Sequence, residues 1–143
     1  MDNVEWLGVF GQKTDLKLPL FSDGIAAGFP SPADDYIERK LDLNEYLIRH
    51  PAATFFVRVE GESMINAGIH PGDILIVDRA LEPGDNKIVV ALLEGEFTVK
   101  RLRKTCSGLF LLAENPAYAP IEIQQGANFE IWGVVAFVIH QAE

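Results

Sequence analysis

Thr54-Phe55-Phe56-Val57-Arg58-Val59-Glu60-Gly61-Glu62-Ser63-Met64 reads as a β-strand running into a sharp turn. Aromatic and β-branched residues fill its first half, and Gly61 supplies the backbone freedom to leave the strand abruptly. The same texture repeats downstream in short bursts: Ile74 to Val77, Ile88 to Leu93, Phe97 to Leu102, Leu109 to Leu112 and Ile131 to Ile139. Most are bounded by Gly, Pro, Asn or Asp, the punctuation of a mainly antiparallel β domain. Glu94-Gly95 between two bursts predicts a tight hairpin, because two-residue loops demand positive φ.

Upstream of Pro51 the chain changes character. Phe21-Ser22-Asp23-Gly24 and Ala26-Ala27-Gly28-Phe29-Pro30-Ser31-Pro32 are dense in turn and breaker residues, so residues 1–32 read as an extended arm. Tyr36, Ile37, Leu41, Leu43, Leu47 and Ile48 are spaced loosely as on short helices, interrupted near Asp42, which makes 33–50 a helical linker segment. Residues 51–143 then form the β domain.

Composition narrows the function classes. With 143 residues and 48% hydrophobic content the chain can bury one full core. Twenty-one acidic against 12 basic side chains give a net charge of −9, which argues against strong direct nucleic-acid binding. A single cysteine, Cys106, cannot form an internal disulfide and fits a reducing, cytoplasmic setting. No stretch approaches the roughly 20 apolar residues of a membrane span, and the acidic N-terminus does not resemble a secretory signal. No G-x-x-x-x-G-K-[ST] phosphate loop is found.

Two residues carry chemical interest. Ser63 follows the Gly61 turn, which would expose its hydroxyl while aiming backbone N–H groups at a developing oxyanion. A serine in this position equally serves as a helix cap. Lys100 lies in Phe97-Thr98-Val99-Lys100-Arg101-Leu102, a strand apolar on both faces, so alternation does not decide whether the amine points inward or guards an exposed edge. Burial would matter: lowering a lysine pKa from about 10.4 to about 7 corresponds to roughly 4.6 kcal/mol. A neutral lysine beside a serine is a nucleophile–base pair that needs no histidine or metal. His50, His70 and His140 lack H-x-x-x-H or E-x-x-H spacing, so no metal is expected. Asp73, Asp78 and Asp85 read as strand-end and turn residues, and the Phe and Trp side chains as core, with the burial of Trp6 left open.

Taken together, Phe55 through Met64, His70-Pro71-Gly72-Asp73-Ile74-Leu75-Ile76-Val77-Asp78 and Gly95-Glu96-Phe97-Thr98-Val99-Lys100-Arg101-Leu102 resemble the LexA-type self-cleaving peptidase family. Leu18 to Asp23, Gly28 to Tyr36 and the stretch through Leu43-Asn44 extend the likeness to the SOS mutagenesis members of that family, over nearly the whole chain. The resemblance implies a compact, strongly twisted antiparallel sheet, barrel-like, behind a mobile N-terminal arm. It implies Ser63 as nucleophile, Lys100 as general base, backbone N–H groups of Glu62 and Ser63 as oxyanion donors, and Ala27-Gly28 as the bond cut, with no cofactor. Mutagenesis members often carry cysteine before that glycine, whereas Ala27 matches the LexA-type repressors. The arm is too short for the helix-turn-helix domain of a repressor, so a repressor is not expected. Implied partners are a second copy in a homodimer, the RecA–single-stranded DNA filament, and an error-prone Y-family translesion polymerase subunit. Two rivals remain: a signal peptidase, which pairs a Ser-Met turn with a Lys-Arg strand but needs a membrane anchor, and a non-catalytic β-scaffold that only binds a polymerase or another protein.

Overall fold

The computed structural model describes residues 4–11, 17–21 and 37–143. They fall into two compact units, one built from residues 4–10 and 50–143 and the other lying within 11–49.

The larger unit is one eight-stranded antiparallel sheet. Its strands are β1 (Val4–Val9), β4 (Thr54–Val59), β5 (Ile74–Asp78), β6 (Ile88–Leu93), β7 (Glu96–Thr105), β8 (Gly108–Leu112), β9 (Ile121–Glu122) and β10 (Phe129–Ile139). They are ordered β1-β4-β5-β10-β6-β7-β8-β9. The mainly β expectation holds, as does each of the six strand bursts. The hairpin expected at Glu94-Gly95 joins β6 to β7, with φ of 48° and 82° at its two central residues and Leu93 facing Glu96, the primed turn that matches strand twist.

Alternation explains one core directly. In β4, Phe55, Val57 and Val59 point to one side and are buried, while Arg58 faces solvent. They join Met64, Ile69, Leu75, Val77, Val90 and Val99 in a single cluster. The middle strands are apolar on both sides because a second cluster, Val89, Ala91, Leu93, Leu102, Leu111 and Val134, covers the other face. Each such side chain contributes about 1.5–3 kcal/mol on burial.

Strand β10 links the two halves. Its C-terminal part pairs with β5 and its N-terminal part with β6, with register shifts between Ile131 and Gly133 and between Val135 and Phe137. Gly133 leaves no room for a side chain: a Cβ there would lie 2.7 Å from Val77 Cγ1 and 3.2 Å from the Asp78 carbonyl oxygen.

Val4–Val9, inside the segment read as the arm, is hydrogen-bonded as β1 against β4. Trp6 stacks on Phe55 with ring centroids 4.8 Å apart yet keeps about half its surface in solvent, 45%. Trp132 meets Phe97 edge-on at 5.1 Å, and the Arg79 guanidinium lies 4.7 Å from its centre.

In the smaller unit, β2 (Lys17–Phe21) pairs with β3 (Ile37–Asp42), and helix α1 (Leu43–Leu47) follows. The spacing of Ile37 and Leu41 predicts helix over residues 37–42, and they form a strand instead. Pairing with β2, set by residues distant in the chain, overrides that local spacing. The break expected near Asp42 is the start of the helix: its carboxylate accepts the N–H groups of Asn44 at 3.0 Å and Glu45 at 3.4 Å as an N-cap.

Candidate active site

Gly61 has φ of 90°, a left-handed value that turns the chain out of β4 and starts the bend carrying Glu62 and Ser63. The 3-10 turn Ile65–Ala67 then begins with Met64 at its N-cap, without a side-chain cap. Ser63 is therefore not the cap of that turn; its hydroxyl is used elsewhere.

Lys100 lies mid-strand in β7, between β6 and β8 rather than at a sheet edge, and opposite Val89. Alternation puts it on the same face as Thr98 and Leu102, over the second core. Lys100 is 2% exposed and Ser63 1%, so the edge-lysine reading gives way to an inward one. Lys100 Nζ donates to Ser63 Oγ at 2.9 Å, to Thr98 Oγ1 at 2.9 Å and to the Val99 carbonyl oxygen at 3.2 Å. The structure thus unites the two residues singled out in sequence.

The bend around Ser63 is held from the loop after β8. Glu114 N–H donates to the Ser63 carbonyl at 2.8 Å, and Asn66 N–H to the Glu114 carbonyl at 2.9 Å. Asn115 Nδ2 donates to the Glu62 carbonyl at 2.9 Å. The Glu114 carboxylate is paired in turn with the guanidinium of Arg101, the neighbour of Lys100 in β7. Sequence reasoning missed Thr98, Glu114 and Asn115. Thr98 could have been found as the residue two before Lys100 on a strand, whereas nothing in the sequence marks the reach of Glu114 and Asn115 to Ser63.

Ala27 and Gly28, the expected cleavage site, lie outside the described residues. Asp73, Asp78 and Asp85 accept backbone N–H groups from His70, Ala80 and Lys104, as strand-end carboxylates were expected to do. Asp78 also holds the His50 ring at 2.6 Å. Cys106 is free and exposed in the β7–β8 turn. One group of side chains with metal-ligating chemistry comes together among the described residues, His70, Asp73 and His140. No helix among them is long and apolar enough to cross a membrane.

The β domain thus holds a buried lysine amine against a serine hydroxyl just after a glycine turn. The family model described as Peptidase S24-like matches residues 19–136, and the chain belongs to that family. Its relatives include protein ImpA of Salmonella typhimurium, 50% identical over 129 residues, covering 86% of this chain and 83% of that protein. Protein MucA of Escherichia coli is 44% identical over 126 residues, covering 82% and 81%. The LexA repressor of Paracidovorax citrulli is 39% identical over 126 residues, covering 88% of this chain and 55% of that protein. The LexA-type resemblance read from the sequence, and within it the likeness to UmuD, stands with these relatives.

Proposed function

We propose that the chain is a single-turnover autopeptidase of SOS mutagenesis, which cuts its own Ala27-Gly28 bond with Ser63 as nucleophile and Lys100 as general base. The observation that carries this reading is the 2.9 Å contact between Lys100 Nζ and Ser63 Oγ, both buried.

Removal from water disfavours the ammonium form of Lys100. A neutral amine has two protons and one lone pair. The protons satisfy Thr98 Oγ1 and the Val99 carbonyl, and the lone pair then accepts the Ser63 O–H, reversing the direction of that hydrogen bond. Ser63 Oγ attacks the Ala27 carbonyl carbon as its proton passes to Lys100, and the backbone N–H groups of Glu62 and Ser63 receive the oxyanion. Lys100 gives the proton to the Gly28 nitrogen, and the Ala27–Gly28 bond breaks. Water, giving a proton to Lys100, then attacks the Ala27 carbonyl carbon; the bond to Ser63 Oγ breaks, Lys100 returns the proton to Oγ, and the Ala27 carboxylate is released.

Tethering makes the attack intramolecular, which favours it by several kcal/mol. Ala27 lies eighteen residues beyond Val9, which is paired in the sheet as the end of β1, and that stretch spans up to roughly 60 Å when extended, so cutting within one chain and across a homodimer are both within reach. A RecA–single-stranded DNA filament would accelerate the reaction by binding the docked-arm conformer more tightly than the free one. The processed homodimer then serves as accessory subunit of a Y-family, UmuC-like translesion polymerase in the cytoplasm. With a net charge of −9, its route to DNA runs through those protein partners.

Incubating purified protein and weighing the products tests the reading. A fragment beginning at Gly28, absent from Ser63→Ala and Lys100→Ala, is expected. An intact chain under every condition, with RecA filament included, would leave the non-catalytic scaffold as the better account.

A further inference from the structure

The register of β10 against β5 has a chemical consequence at the end of the ladder. Ile139 faces Ile74 and Val138 faces Leu75, so the next step sets His140 opposite Asp73. Its Nδ1 lies 2.6 Å from Asp73 Oδ1. The turn His70-Pro71-Gly72-Asp73 brings a second imidazole to the same carboxylate: His70 Nδ1 is 3.7 Å from Asp73 Oδ2, and the two histidine rings are 4.8 Å apart. Asp73 is buried and anchored, since its Oδ2 accepts the His70 N–H at 2.8 Å and its carbonyl accepts the Val59 N–H at 2.8 Å. His70 Nδ1 is itself shielded from solvent and has no hydrogen-bond partner. A ring nitrogen without a hydrogen-bond partner beside a fixed carboxylate has a lone pair or proton open to a ligand.

We propose that His70, Asp73 and His140 form a binding site for one divalent transition-metal cation of the Zn²⁺ type. Two imidazoles and one carboxylate are the donors that Zn²⁺, Co²⁺ and Ni²⁺ prefer, whereas Mg²⁺ and Ca²⁺ select all-oxygen sets. One ligand atom from each residue lies within 4.8 Å of the other two. Zn–N and Zn–O bonds of about 2.0–2.2 Å need a tighter group. Both rings are roughly half exposed, 42% and 50%, and have room to swing in around the fixed Asp73. Three protein ligands leave a fourth position to water. The ion would tie the end of β10 to the segment between Ser63 and β5, in which Ile69 N–H already bonds the Met64 carbonyl at 3.2 Å. It would therefore brace the stretch that follows the serine, and it takes no part in the peptidase reaction itself.

Tag-free protein carrying Cys106→Ser, which removes the thiol as a competing ligand, is titrated with Co²⁺ by visible absorption and with Zn²⁺ by calorimetry. One equivalent is expected to bind, with the absorption of a tetrahedral nitrogen–oxygen site and a rise in melting temperature. His70→Ala and His140→Ala should each weaken binding by about tenfold or more, by analogy with the loss of a supporting ligand, while His50→Ala leaves it unchanged. Circular dichroism verifies that each variant is folded. Absence of stoichiometric binding, or binding that both His70→Ala and His140→Ala retain at full strength, overturns the site.

Discussion

Thr98→Val is the substitution that isolates the orientation of the Lys100 amine. Valine has the shape of threonine, and Thr98 is wholly buried in β7, so packing is kept while one acceptor, 2.9 Å from Nζ, is lost. A buried N–H deprived of its acceptor costs about 1–3 kcal/mol. If the amine then swings from the position in which its lone pair meets Ser63, that energy is lost from the transition state. At about 1.36 kcal/mol per factor of ten, self-cleavage slows by about 5- to 150-fold. Thr98→Ser retains the oxygen and should cleave near the parental rate. The assay is a time course at fixed alkaline pH, with products separated by size and weighed, beside urea unfolding of each variant. A folded Thr98→Val protein cleaving as fast as the parent would refute the claim that Thr98 aims the base.

Other parts of the structure make their own demands. Gly133→Ala should destabilise the larger unit by about 1–3 kcal/mol in urea unfolding, because its Cβ would stand 2.7 Å from Val77 Cγ1 and meet the Asp78 backbone beyond. Leu102→Ala, wholly buried in the second core, should cost about 2–5 kcal/mol in the same assay. Glu114→Gln weakens the partly exposed pair with Arg101, so stability should fall by less than about 1 kcal/mol. Cleavage should slow several-fold all the same, since the Glu114 backbone holds Ser63 and Asn66; an unchanged rate would separate the ion pair from the geometry of the turn.

Much of the sheet was legible because its strands are local events. Thr54–Val59 and Ile88–Leu93 are apolar bursts closed by turn residues, and Glu94-Gly95 announces its own hairpin. The segments that escaped depend on distant partners. Ile37–Asp42 carries a spacing that suits a helix and becomes a strand by pairing with Lys17–Phe21, while Ile121–Glu122 is too short to leave a pattern. The same division runs through the site. Ser63 and Lys100 could be named from residue type and setting, yet the direction of the lysine could not, because a strand between two cores is apolar on both faces. His70 and His140 showed no ligand spacing in the sequence, since the register of β10 on β5 is what joins them to Asp73.

The most direct test of the central claim is the pH dependence of single-turnover self-cleavage in the purified protein, from about pH 5, below where burial can bring a lysine, to about pH 10, near its reference pKa of about 10.4. Below its own pKa Lys100 is charged and cannot accept the Ser63 proton; above it the amine is neutral and can. The rate should therefore climb with pH, by up to tenfold per unit, and level off once the amine is deprotonated, with no cleavage in Lys100→Ala at any pH. A rate that stays flat across the range in protein still folded by circular dichroism would contradict the lysine base.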